Sequence, residues 1–200
     1  IITHHTPWEG APVAETTAVN IDKFLNNLLG NNPFFMVSGL KKNINEELQK
    51  TLQAYTEGQG STDLKPNSVF LQGIKASLAT TKIPILAIAG YKISVLDAIS
   101  KVSPALENLP AAMKANLPSL LIKLDEHWAT LIQSPTKEDH DFLIPLSSQL
   151  AQNLPKSVNF VSEKIATHDH YVCLTEEKVY GLITKKIQQY LTTKKVNNKT

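Results

Sequence analysis

The stretch "IPILAIAGY", Ile83 to Tyr91, constrains the fold more than any other in this chain. It is almost continuously apolar, has a glycine near its end, and is the length of a strand rather than of a helix. A strand without polar alternation buries both faces, which happens in parallel sheets covered by helices on either side. Two weaker strand signals flank it. One is Ile1-Ile2-Thr3; the other is "VNFVSEKI", Val158 to Ile165, whose β-branched residues suit a strand near an edge.

Helical periodicity fills the intervals. Pro12 to Leu29 predicts a helix with Ile21, Phe24, Leu25, Leu28 and Leu29 on one side and Gly30 as its stop. Val69, Ile74 and Leu78 follow a Pro66-Asn67-Ser68 start. Val95 to Ile132 reads as two or three helices broken at Pro104, Pro110 and Pro118. A last helix starts at Thr175 as N-cap, with Glu176 and Glu177 near the positive end of its dipole. Its apolar stripe is Val179, Leu182, Ile183, Ile187, Tyr190 and Leu191. Strand, helix, strand, helices, strand, helix is the order of a doubly wound α/β sheet. Three strands fall short of the usual five or six or so, so the pattern reads as the second half of such a sheet. Residues 1–200 form one domain, without internal repeats or a dividing linker, and 194–200 are expected to fray.

Composition narrows the function. All twenty basic residues are lysines and the net charge is only +2. Without arginine there is no guanidinium fork for bidentate phosphate or guanine recognition, so no nucleic-acid partner is expected. The single cysteine, Cys173, cannot close an internal disulfide and more readily packs than reacts. No apolar run approaches the ~20 residues that span a bilayer. A soluble protein is expected, with the compartment left open between bacterial cytoplasm and secretion.

Functional groups of open α/β sheets sit on loops leaving the carboxyl ends of the strands. Three polar clusters hold such positions: "THHTPWEG" after the first strand, "KEDHDFLIPLSS" downstream of the second, and "ATHDHYVCL" after the third. Four motifs in order resemble lipases and esterases of the α/β-hydrolase superfamily and the acyltransferases related to them. "TPWEGAPVAE" is similar to that family's "TPWGGAPVA", with Glu9 in place of the first glycine. "DLKPNSVFLQGI", Asp63 to Ile74, precedes the central strand as the family's "D-L-x-P-x-S-x-F-L" does. "DFLIPLSS", from Asp141, resembles its "D-G-L-V-P-x-x-S" loop with Phe142 in place of glycine. His170 stands in a loop before the final helix.

The resemblance implies a Ser-His-Asp triad acting on carboxylic esters, lipids among them, with Asp141 as the acid and His170 as the base. Asp139 and Asp97 are alternatives for the acid, and His168 for the base. Transfer of the acyl group to an alcohol by the same triad is a second implied activity. A non-catalytic, hydrolase-like binding or scaffold protein is a third reading, suggested by Glu9 and Phe142 where the family has glycines.

No "G-x-S-x-G" occurs in the 200 residues. The family places that elbow upstream of the strand leading into "TPWGG", so the serine and the oxyanion-hole N–H groups are expected before Ile1. The implied partner is the N-terminal half of the same fold, and this chain alone is expected to be an inactive fragment.

Segments 34–56 and 95–132 are the expected lid or cap insertions. "NPFFMVSGL" is apolar enough to touch lipid chains and leaves room for transient contact with a membrane surface, though a buried core helix would read the same. His127 and Trp128 read as a packed or half-exposed pair. Trp8 either packs under the turn or walls the acyl site. "HDH" beside "DHD" invites a metal site. But His4 and His5, being adjacent, are expected to point to opposite faces of a strand, and no further histidine-rich motif completes a site. No metal and no other cofactor is therefore expected.

Overall fold

The computed structural model describes residues 1–15, 59–95, 122–123, 125–137, 139–168, 170 and 176–197, with isolated positions 20, 22, 23, 26, 42, 46 and 49. The chain divides into two compact units, Ile1–His170 and Tyr171–Thr200.

In the first unit, strands β1 (Ile2–His4), β2 (Ile85–Tyr91) and β3 (Phe160–Ala166) form a sheet in the order β1-β2-β3. Both pairings are parallel, with Ile2 opposite Leu86 and Ile85 opposite Phe160. This is the α/β class expected from the sequence. β2 lies between the other two strands and is buried along almost its whole length, as its unbroken apolar run requires. β3 forms one edge of the described sheet and is mostly exposed or half-buried. It begins two residues later than expected, because Val158 is almost fully exposed in the preceding turn.

Helices α1 (Gln59–Leu64) and α2 (Val69–Leu78) precede β2. The Ser68 side chain caps α2, accepting a hydrogen bond from the Leu71 backbone N–H at 3.2 Å. Leu78 of α2 joins Trp8, Ile85, Ala87 and Ala151 in a core cluster, with Ile74, Leu154 and Phe160 packed against it. Trp8 meets Phe160 edge to face, with ring centroids 5.6 Å apart, so it packs in the core beneath the turn. A short helix, α3 (Leu146–Gln149), lies in the connection from β2 to β3.

The segment expected as a helix over Pro12–Leu29 starts with a 3-10 turn, Pro12–Glu15, and its described positions 20, 22, 23 and 26 are helical. Residues 125–131 are helical. Trp128 there is fully buried, its indole N–H donating to the Phe142 carbonyl at 2.6 Å, while His127 bonds the Lys123 carbonyl on the exposed side. The Asp125 carboxylate accepts the Val95 backbone N–H at 2.7 Å, which joins the two ends of the intervening segment. Of segment 34–56 the structure describes positions 42, 46 and 49, which are helical, while the proline breaks at 104, 110 and 118, and Asp97, Cys173 and Thr175, fall outside the described residues.

The second unit contains α4 (Glu177–Asn197), on which the predicted stripe from Val179 to Leu191 lies. No described helix is long and apolar enough to cross a membrane.

Candidate functional site

The carboxyl ends of β1, β2 and β3 all face one edge of the sheet, because the strands are parallel. The three polar clusters meet there. Their meeting depends on the backbone: Gly90, near the end of β2, leaves room that any side chain would fill. A Cβ on Gly90 would stand 2.6 Å from the His5 ring and overlap the His168 carbonyl oxygen.

Asp141 is fully buried and organises the loop before α3. One carboxylate oxygen, Oδ1, accepts the backbone N–H groups of Leu143 at 3.0 Å and Ile144 at 2.8 Å, forming an Asx-type turn. The other, Oδ2, lies 3.0 Å from His170 Nδ1 and 2.6 Å from His5 Nδ1. Burial alone would raise the pKa of this carboxyl. Hydrogen bonds from His170 and His5, with the charge those rings can carry, outweigh it and hold the group well below the usual carboxylate range. Asp141 is thus an anion with every oxygen engaged.

Phe142 stands where the resembled loop has glycine, and its backbone adopts a φ of +91°, a conformation glycine takes without strain. Its ring compensates. It lies flat on Trp128, with centroids 4.8 Å apart and planes inclined by 9°, and is almost completely buried. At the other departure from glycine, the Glu9 carboxylate accepts the Asn153 backbone and side-chain N–H groups, both at 2.8 Å. The conformational requirement falls instead on Gly10, whose φ is +104° and whose Cβ would lie 2.6 Å from the Pro66 Cα.

Comparison with family models, with curated proteins and with solved structures finds no match. The site is therefore described by its own geometry.

His170 and His168, the two alternatives on the loop after β3, occupy different surroundings. His170 is half-buried beside Asp141, and its backbone N–H also donates to the Asp141 carbonyl at 2.9 Å. His168 is buried, with its Nε2 2.7 Å from His4 Nε2. Asp139 is not brought to the histidines. Its carboxylate accepts the Thr136 hydroxyl at 2.8 Å and its carbonyl accepts the Leu146 N–H, so it clasps the loop that carries Asp141.

The expected opposition of His4 and His5 is corrected by the structure. Their ring centroids are 3.8 Å apart. Strand alternation fails because β1 ends at His4, and His5 takes a φ of +51° that turns its ring back toward the first. His4 is pushed down to about 3, by burial first and then by the neighbouring His5, His168 and His170, so it is neutral at ordinary pH.

Gln149, on α3, escaped the sequence reading. Its side-chain oxygen accepts the Gly90 N–H at 2.9 Å and faces His5 Nδ1 at 3.2 Å. Its amide nitrogen donates to the carbonyls of Gly90 at 3.1 Å and Ile144 at 2.9 Å. It thereby locks the Asp141 loop to the end of β2. A lone glutamine in an apolar-polar helix carries no sequence signal for such a role.

Proposed function

We propose that this chain supplies the acid and the base of a serine hydrolase of the α/β-hydrolase type, acting on carboxylic esters, lipids included. The observation that carries the reading is the Asp141–His170 pair, at the carboxyl edge of a parallel sheet and in the chain order acid then base. A proton on His170 Nδ1 faces the carboxylate, which leaves Nε2 to take the proton of an attacking hydroxyl and return it to the leaving group. Asp141 fixes that tautomer and stabilises the imidazolium. His5 also touches Asp141, but its side chain is only 3% exposed against 16% for His170, which favours His170 as the ring that reaches substrate.

The nucleophile lies in sequence outside these 200 residues in this reading, since no "G-x-S-x-G" occurs within them. The experiment is fluorophosphonate labelling and hydrolysis of p-nitrophenyl acyl esters by the longer protein. Labelling of a serine upstream, with ester hydrolysis absent in residues 1–200 alone, is the expected result. Hydrolysis by residues 1–200 alone, or a longer protein inert to the probe and to esters, would overturn it.

A further inference from the structure

Three imidazoles converge beside the Asp141–His170 pair, and one of them, His5, bonds its carboxylate. We propose that His4, His5 and His168 form a binding site for a divalent transition metal, with zinc the best match, over the end of β2. The site stands on geometry alone and does not depend on the hydrolase reading.

One ligand atom from each of the three histidines lies within 4.8 Å of the others. His4 and His168 already point Nε2 at Nε2, 2.7 Å apart, so one ring donates to the other in the metal-free protein. Two nitrogens on a tetrahedral zinc, at about 2.0–2.1 Å from it, stand about 3.3 Å apart. The rings need only part slightly, with the donating ring binding as its other tautomer.

His5 decides the matter. Its Nδ1 is engaged by the Asp141 carboxylate at 2.6 Å and by Gln149. Its Nε2 is buried and has no hydrogen-bond partner among the described residues. A carboxylate on Nδ1 places the proton there and leaves a lone pair on Nε2, the arrangement by which proteins orient metal-binding histidines. Coordination would satisfy the atom that is otherwise left bare.

His5, Asp141 and His170 also place one ligand atom each within the same distance of one another. Both carboxylate oxygens of that set are engaged by hydrogen bonds, two of them from backbone, so it is the poorer donor set. Three neutral imidazoles suit zinc, whereas magnesium and calcium prefer oxygen. The metal would tie the ends of β1 and β3, which are not neighbours in the sheet, across the side-chain-free Gly90.

The test is zinc titration of the chelator-stripped full chain against a chromogenic chelator, paired with the visible spectrum of the cobalt-substituted protein. One zinc per chain and the intense bands of four-coordinate cobalt are expected. His4→Gln and His168→Gln should each weaken zinc by more than about 100-fold, and Asp141→Asn by about 10–100-fold through loss of the orienting carboxylate. His170→Gln should leave the affinity unchanged. Should a variant fail to fold, imidazole 15N shifts of the unaltered protein give the same answer, with His4, His5 and His168 responding to zinc. No stoichiometric binding, an octahedral cobalt spectrum, or affinity that follows His170 instead of His4 and His168 would overturn the proposal.

Discussion

His170 and Asp141 are joined twice: the His170 backbone N–H donates to the Asp141 carbonyl at 2.9 Å, and Nδ1 lies 3.0 Å from Oδ2. The backbone bond fixes where the loop after β3 passes, so the ring meets the carboxylate without depending on its own rotamer freedom. On the hydrolase reading, with the nucleophile present, His170→Ala is expected to lower kcat for ester hydrolysis by about 10⁴-fold or more, and Asp141→Asn by about 10⁴-fold through the wrong tautomer. His5→Gln should retain most of the activity. A greater loss at His5 than at His170 in steady-state assays would reassign the base.

Gly90→Ala is expected to be disproportionately harmful for a one-methyl change. The added carbon overlaps the His168 carbonyl, which is backbone and has little room to yield. A destabilisation of about 1–3 kcal/mol or more is expected from overpacking, measured by urea denaturation. The same substitution at Gly73 in α2, where a Cβ meets nothing, should be neutral or mildly stabilising.

Phe142→Gly tests whether the ring or the backbone matters more in the Asp141 loop. Glycine relieves a left-handed φ worth about 1–2 kcal/mol, while losing the buried ring costs about 3–5 kcal/mol. A net loss of about 1–4 kcal/mol follows from those two. A stabilised variant in thermal or urea unfolding would mean that the stacking on Trp128 contributes little.

Acid should weaken the metal-free protein in two stages. The folded-state pKa of His4 lies near 3 against 6.5 in a free chain, so the unfolded state binds the extra proton between those values. Stability therefore falls as pH drops from about 6.5 toward 3. Asp141, also depressed, adds stability that is present above its ordinary value of 3.8 and lost as pH falls through its lower folded value. Melting temperatures across pH, in the presence of chelator, should show a shallower decline from pH 6.5 to 3 in His4→Gln than in the parent protein.

Gln149→Leu keeps the size of a buried side chain but takes away the partner of the Gly90 N–H and carbonyl, and one of the two donors to the Ile144 carbonyl. Each unsatisfied buried group costs about 1–3 kcal/mol, so this variant should be among the least stable of single substitutions here. Urea unfolding measures it, and a loss below about 1 kcal/mol would mean that water replaces the amide.

β2 was readable because an apolar run of strand length has few other homes, and the meeting of three polar loops followed from parallel strands sharing one edge. The start of α2 at Pro66-Asn67-Ser68 was readable because the chemistry of helix starts is local. The histidine cluster was not. It needs a positive φ at His5 and a missing Cβ at Gly90, and neither declares itself in a residue type beside a strand. Trp8 had two readings that only the neighbours Phe160 and Leu78 could separate. Phe142 shows a third limit. A residue that looks like a departure from glycine keeps glycine's backbone angle, because aromatic stacking holds it there.

The bond from the Val95 N–H to Asp125 gives the chain a modular interior, since it pins two residues 30 apart in sequence at a single root. Whatever is spliced between them enters and leaves at the same point, and doubling its length would add only about 0.6 kcal/mol of closure entropy. A change of length between Val95 and Asp125 should therefore cost the sheet and its histidines little stability.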